Sequence, residues 1–597
     1  MRESSVPMIV DVPASANCTD TIFQRAQEQP EAEVLRRKIG DTWRPVTAAE
    51  FGAQVAELAK GLIAAGVEPG DRVGLMSRTR YEWTLIDYAI WAAGAVGVPI
   101  YETSSAAQIR WILSDSGARA VFTELDTHEE TVREVLPELP DVKEIWRIEG
   151  DGLDALMARG ADVTDAILAE RRAARGGHDL ATIIYTSGTT GLPKGCRLSH
   201  DNLLFTARNV AAGPLVKLFE VPGRAALLFL PLAHSFARII QVVLIETGTV
   251  LGHSANLKDV APDLVSFKPT FLLAVPRVFE KVYNAAERKA AADGKSAIFR
   301  RAADVATRWG QAETTGHAGL GLRLLHAVFD RLVYVRLRAA TGGNLWGAVS
   351  GGSALGERLG YFFKGVGIEV LEGYGLTETS APSTVNIPGA NKIGTVGKPL
   401  PGVTVAVADD GELLVKGRHV FGGYWNDPEA TAEVIDPAGW FHTGDVGSID
   451  EDGYVSISGR KKELIVTAAG KNVAPAPLED RVRAHPLVGQ AMVVGDGKPF
   501  IAALITLDPE ALDQWKRDNG KDAAALTDLA TDPAIRTEIQ QAVDDANSTV
   551  SKAEQIKKFA ILDTDLNEES GHVTPSLKIK RNIVHRDFAK EIDSLYS

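Results

Sequence analysis

Short β-branched or aliphatic runs alternate with longer stretches of helical period along most of this chain, and that alternation restricts its architecture more than any other feature. Residues 72–76, 120–123, 182–185, 226–230 and 270–275 read as strands. Residues 48–65 read as a helix, because Phe51, Val55, Leu58, Leu62 and Ile63 fall on one face. The pattern predicts an α/β protein with helices packed on sheets. A length of 597 residues spans several domains of roughly 150 residues each, and no repeat indicates a solenoid. From Gly411 the character changes: GELLVKG, GYVSISG and KELIVT are short strands separated by Gly and Asp turns. The major boundary is placed near Gly459, giving a large α/β body over 1–459 and a small α+β unit over 460–597.

Charge and cysteine content exclude several function classes. With 64 basic and 78 acidic residues the net charge is −14, so no global field draws in nucleic acid, and any anion must be held by local geometry. Cys18 and Cys196 are the two cysteines. They can form neither a disulfide framework nor a four-thiolate metal site, and they suit a reducing, cytoplasmic address. The first residues lack a basic stretch followed by an apolar core, so no secretion signal is expected. The apolar stretches at 90–100 and 225–245 are too short, or are interrupted by Pro231, His234 and Arg238, to span a bilayer. Residues 281–338 hold eleven basic and five acidic residues. Leu322, Leu325, Phe329 and Leu332 recur there at helical spacing, so the expectation is one packed side and one solvated side. A membrane-surface or partner contact is the alternative.

The chemistry concentrates in Ile183-Ile184-Tyr185-Thr186-Ser187-Gly188-Thr189-Thr190-Gly191-Leu192-Pro193-Lys194-Gly195. Small residues let backbone N–H groups approach phosphate oxygens, hydroxyls add donors, and Lys194 adds a cation. The run reads as a polyphosphate cradle. It is not a Walker A loop, because no Gly-Lys-Ser/Thr opens a helix; residues 195–198 read instead as another strand.

This stretch resembles the phosphate loop of the acyl-adenylate-forming ligases, the superfamily of acyl-CoA synthetases, luciferases and peptide-synthetase adenylation domains. Further motifs follow in that family's order. Pro231-Leu232-Ala233-His234-Ser235-Phe236 resembles the segment bordering the acyl pocket, which implies a place for His234 beside the carboxylate and the γ-phosphate. Ser350-Gly351-Gly352-Ser353-Ala354 is similar to the turn along the nucleotide base. Glu372-Gly373-Tyr374-Gly375-Leu376-Thr377-Glu378-Thr379 resembles the adenylate motif. The resemblance implies that Tyr374 offers a flat face to adenine, Thr377 a hydroxyl to the α-phosphate, and Glu378 with Thr186 the ligands for Mg²⁺. Trp440-Phe441-His442-Thr443-Gly444-Asp445 matches the motif whose aspartate accepts from both ribose hydroxyls, and Arg460 resembles the ribose-binding arginine, with Lys462 the hinge two places on. Val573-Thr574-Pro575-Ser576-Leu577-Lys578 resembles the loop bearing the adenylation lysine, Lys578; many members have Gly where Leu577 stands, which keeps Lys580 as the fallback.

The resemblance spans nearly the whole chain. Within it, Pro276-Arg277-Val278-Phe279-Glu280-Lys281, the helical insertion that follows, Gly470-Lys471-Asn472-Val473-Ala474-Pro475 and the Thr-Pro-Ser-Leu-Lys ending look like long-chain fatty acyl-CoA synthetases, especially actinobacterial ones. The implied reaction converts a fatty carboxylate and ATP to acyl-AMP and pyrophosphate, then passes the acyl group to CoA. Gly470 and Lys471 would line the thiol channel after the small unit rotates. Two other readings stay open: a fatty acyl-AMP ligase serving a carrier protein, and an inactive nucleotide-binding scaffold. A homodimer and a peripheral contact at the inner face of the plasma membrane also stay open.

Overall fold

A computed structural model describes residues 2–186, 192–213, 215–256, 258–316, 318–567, 570–574 and 578–597. The phosphate-loop residues Ser187, Gly188, Thr189, Thr190 and Gly191 lie outside them. The expected strands form, and the helix Ala48–Ala64 starts at Thr47, whose hydroxyl accepts from the Glu50 N–H while the Glu50 side chain returns to the Thr47 N–H.

The body holds two large sheets. One has six strands in the order Glu144–Arg147, Ala118–Thr123, Arg72–Met76, Val96–Ile100, Leu180–Thr186, Lys194–Ser199. Its pairs are parallel except the last, where Lys194–Ser199 lies antiparallel to Leu180–Thr186. The other has nine strands, and its centre is the parallel run Glu369–Tyr374, Gly347–Ser350, Phe271–Ala274, Ala225–Leu228, Val250–His253. Parallel strands need cover on both faces. The helix Tyr81–Ala92 is buried along its whole length, and Ser235–Thr247 nearly so. A buried ion pair, Asp87 with Arg238, joins these two helices; Gln241 also donates to Asp87 at 3.1 Å, and Arg238 reaches the Thr182 hydroxyl. Removing one partner of such a pair costs about 3–5 kcal/mol, because the other charge is left buried.

The small β-rich module does not begin at Gly411. It is a five-stranded antiparallel sheet in the order Arg2–Ser5, Thr404–Val407, Glu412–Lys416, Phe441–Ile449, Val455–Arg460. Its first strand comes from the start of the chain, and pairing across such a separation leaves no local signature. Beyond it, Val488–Val494, Ile501–Leu507 and Ile556–Ile561 form a three-stranded sheet buried on both faces. Alternate residues serve two cores: Ala491, Val493, Ala503 and Ile505 face one cluster, while Met492, Val494, Ala502 and Leu504 face the other. Both clusters draw only on residues from Ile465 onward.

The insertion is helical as expected, with Ser296–Thr315, Leu320–Phe329, a π turn Asp330–Tyr334 and Val335–Ala340. The expected packed side is corrected. Phe329 is buried and Leu322 packs against the core, but Leu325 and Leu332 are exposed, at 37% and 54%. The inward positions are instead taken by Leu322, His326, Phe329, Tyr334 and Leu337.

Candidate active site

The resemblance-derived residues gather where the parallel strands of the nine-stranded sheet end, the usual place for ligands in α/β sheets. Gly347–Ser350 runs into Gly351, Gly352 and Ser353, and Glu369–Tyr374 runs into the adenylate motif. Ala225–Leu228 leads to His234, which caps the helix Ser235–Thr247. Two glycines ease close packing and an unusual conformation here. A Cβ on Gly351 would meet the Phe236 ring at 3.0 Å, and Gly352 has φ +87°.

Glu372 and Gly373 sit on the strand below. The Glu372 carboxylate accepts from the Leu355 N–H at 2.8 Å, and burial pushes its pKa up to about 7 despite that hydrogen bond. The Tyr374 hydroxyl donates to Asp445 Oδ2 at 2.6 Å, and Arg460 Nε lies 3.1 Å from Asp445 Oδ1. Asp445 and Arg460 face each other across the antiparallel pair Phe441–Ile449 and Val455–Arg460. Burial raises the Asp445 pKa and Arg460 opposes it. An ionised carboxylate has about four acceptor positions, so both Asp445 oxygens retain capacity for further donors.

On the neighbouring side, the Thr377 hydroxyl is 3.0 Å from the Ser235 hydroxyl. His234 Nδ1 accepts from the Phe236 N–H at 3.1 Å. Its surroundings, and then the Lys578 charge, bring its pKa down to about 4. The imidazole is therefore neutral at pH 7 with Nδ1 occupied as acceptor, which puts the proton on Nε2.

Glu378 Oε1 accepts from the Tyr424 hydroxyl at 2.9 Å. The buried Cys196 thiol contacts both the Thr186 hydroxyl and the Glu378 side chain, so strand end and adenylate motif converge. Burial, and then Glu378, raise the Cys196 pKa far above the usual thiol value. Lys194 is half-exposed, with Nζ 5.1 Å from the centre of the Tyr424 ring and 3.9 Å from Asp427. Among the described residues no cluster of three or more His, Cys, Asp or Glu could hold a metal by itself. A lone carboxylate with a hydroxyl nearby suits Mg²⁺, which keeps waters and takes its other ligands from phosphates.

The C-terminal unit closes the arrangement. A bridge between Val573 and Ile579 and the Thr574 N–H, which donates to the Lys578 carbonyl at 2.8 Å, fix the backbone at Lys578. Its ammonium is within electrostatic reach of Arg460, Asp445, Glu463, Glu378 and His234. Crowding by protein, and then Arg460, lower its pKa, although the side chain still meets solvent at the mouth of the cleft. Lys580 precedes the helix Arg581–Asp587, and its N–H donates to the His572 carbonyl at 2.8 Å. Lys462 lies on the exposed turn Lys461–Glu463 between the five-stranded sheet and the C-terminal cores. Gly470, at φ +78°, and Lys471 are exposed in a turn, with Lys471 Nζ 3.4 Å from Glu554.

The AMP-binding enzyme model matches residues 22–425, and the model of the AMP-binding enzyme C-terminal domain matches residues 462–597. The chain belongs to the AMP-binding enzyme family. It is 51% identical to the long-chain-fatty-acid–CoA ligase FadD15 of Mycobacterium bovis, over 100% of both chains. It is 32% identical to the long-chain-fatty-acid–CoA ligase ACSBG2 of Xenopus laevis, over 94% of this chain and 81% of that one. Among solved structures, O-succinylbenzoate Coenzyme A synthetase (MenE) from Bacillus subtilis, in complex with ATP and magnesium ion, superposes with a TM-score of 0.67 at 22% identity, covering 94% of this chain and 98% of that one. The adenylate-forming architecture of a large α/β body and a smaller C-terminal domain is thus established for this AMP-binding enzyme.

Three features of the site were not anticipated from its sequence. Tyr424 holds Glu378, and its segment is threaded onto the phosphate-loop strands by the Trp425 N–H to Gly195 carbonyl bond at 2.7 Å. Arg581 anchors the lysine-bearing loop, donating to Glu479 at 2.6 Å and lying 3.4 Å from Glu463. Arg277 bridges the two units, donating to Asp508 at 2.8 Å. The GYW triplet at 423–425 and the arginine after Lys580 were visible, but their partners lie far away in the sequence.

Proposed function

We propose that this AMP-binding enzyme is a long-chain fatty acid–CoA ligase that forms acyl-AMP and pyrophosphate, then acyl-CoA and AMP. The observation that carries the reading is the convergence of Lys578 with Glu378, Asp445, Arg460 and His234 across the cleft between the two units. The full-length likeness to the long-chain-fatty-acid–CoA ligase FadD15 supports the substrate class.

A carboxylate oxygen is a poor leaving group, so it must become part of a mixed anhydride with a phosphate before a thiol can displace it. In the first step the fatty carboxylate attacks the α-phosphorus of ATP and pyrophosphate departs. Charge grows on the transferring phosphoryl oxygens, and the groups that face it are fixed beforehand. Lys578 supplies a cation, Thr377 a hydroxyl and His234 an Nε2–H donor. Asp445 and Arg460 take the ribose, and Tyr374, pinned by Asp445, presents its ring to adenine. Gly352 and Ser353 border the base, and Lys194 with residues 187–191 takes the terminal phosphates. Thr186 and Glu378 are the residues that would hold Mg²⁺, which neutralises phosphate charge when bound. In the second step the C-terminal unit turns about Lys462, carrying Lys578 out and bringing Gly470 and Lys471 to the cleft, where the CoA thiol attacks the acyl carbonyl and AMP leaves.

Purified protein given palmitate, ATP and Mg²⁺ exchanges labelled pyrophosphate into ATP, and added CoA yields palmitoyl-CoA. Exchange without thioester would replace the proposal with a ligase serving a carrier protein, and no exchange would reject adenylation itself.

A further inference from the structure

The helical insertion carries apolar side chains on two opposite faces. Its inner face is packed: His326 stacks on Trp309 at 4.2 Å and bonds the Gly365 carbonyl at 2.7 Å, while the Tyr334 hydroxyl donates to the Ala302 carbonyl at 2.7 Å. Its outer face holds Leu320, Leu324, Val328, Leu332 and Val335, which are between 47% and 79% exposed. Steps of four residues set the first three on one ridge. The π turn Asp330–Tyr334 takes more residues per revolution, which keeps Leu332 close beneath Val328. Single exposed leucines are ordinary on a soluble surface, but a continuous ridge of them marks a binding face.

The charge along the ridge says what binds. Between Glu313 and Glu357 the sequence has one acidic residue, Asp330, and Arg338 lies 2.8 Å from it. Arg323, Arg331 and Arg336 are exposed, and among the described residues none has a carboxylate within 4.0 Å. This occurs in a chain of net charge −14.

We propose that this ridge docks on an anionic lipid bilayer, with the leucines and valines entering the headgroup boundary and the three arginines meeting lipid phosphates. No helix among the described residues is long and apolar enough to cross a membrane, so the contact lies in the plane of the interface. A second copy of the chain suits the ridge less well. A two-fold axis through it would set the arginines of one copy against those of the other, whereas an acidic leaflet neutralises them and repels the acidic remainder, which orients the molecule. The proposal stands on this surface alone and does not depend on the reaction assigned above.

Flotation of the full-length protein tests it, using vesicles of equal parts phosphatidylcholine and phosphatidylglycerol, with phosphatidylcholine alone as comparison. The expected result is binding to the mixed vesicles that weakens as salt is raised. An R323Q/R331Q/R336Q variant loses roughly a hundredfold in partition at low salt, from about fivefold per arginine. An L324E/V328E variant loses binding to the mixed vesicles. Both variants keep the wild-type melting temperature and fatty-acid-dependent pyrophosphate exchange with monomeric substrate. Absence of wild-type binding to mixed vesicles, or equal binding by the variants, overturns the proposal. So does a wild-type dimer that the variants convert to monomer in sedimentation while flotation is unchanged, which would make the ridge a subunit interface.

Discussion

Glu372 depends strongly on its surroundings in the cleft, because burial lifts its pKa from 4.5 to about 7. A carboxyl whose folded pKa is raised adds stability that is complete below the unfolded value and disappears as the pH climbs through the folded one. At pH 8 the ionised group therefore costs about 3 kcal/mol, and Glu372→Gln, which keeps an acceptor for the Leu355 N–H, melts higher than the parent at that pH. The advantage shrinks as the pH falls and is gone near 4.5; a constant gap across the titration would reject the assignment. Lys578 is expected to act in one half-reaction only. Lys578→Ala slows acyl-AMP formation by roughly 100- to 1000-fold while leaving thioester formation from supplied acyl-AMP intact, and rapid-quench measurements on the two half-reactions check this. Most residues brought together here were legible in the sequence, because each sits in a motif whose side chains suit a phosphate, a ribose or a metal. Tyr424 and Arg581 were not, since a tyrosine after two glycines and an arginine in a basic run acquire meaning only from Glu378 and Glu479.

Elements place these side chains by ending where they do. The strands Gly347–Ser350 and Glu369–Tyr374 are adjacent and parallel, so their carboxyl ends deliver the base-side turn and the adenylate motif to one rim. The helix Ser235–Thr247 is held through Arg238 and Asp87, and its first turn brings His234 and Ser235 to the same rim. Between the units the joint is slender. Arg277 and Asp508 are both partly exposed, which limits their bridge to about 1 kcal/mol. Arg277→Ala accordingly slows adenylation by at most roughly fivefold and spares the thioester step, as separate half-reaction assays will show. Lys462→Pro, which fixes a backbone angle in the turn Lys461–Glu463, has the opposite signature: the first half-reaction survives and the second falls. Equal rates in both steps for the proline variant would remove the hinge from Lys462. Strand and helix positions in the body were legible from period alone, whereas Arg2–Ser5 was not, because its partner Thr404–Val407 lies at the other end of the body.

At the scale of the molecule the cores are separate. The last buried residue of the main cluster is Val455, which opens the strand Val455–Arg460, and the two C-terminal clusters take their residues from Ile465 onward. Calorimetry is therefore expected to resolve two transitions. Ile505→Ala, at a wholly buried site in the second unit, removes about 2–5 kcal/mol from one of them and leaves the other in place; a common shift of both would mean that the units unfold together. The sequence by itself determined the α/β class, the two-part organisation and the motifs that meet at the cleft, since period and short motifs are local properties that side-chain chemistry imposes on neighbouring residues. Tertiary structure decided the rest. It chose which side of the insertion faces water, it recruited the first residues into a sheet formed mostly by residues beyond 400, and it set Lys578 opposite Asp445 and Glu378. Each of these depends on which distant surfaces meet, a matter of burial and charge in three dimensions that no stretch of neighbouring residues encodes.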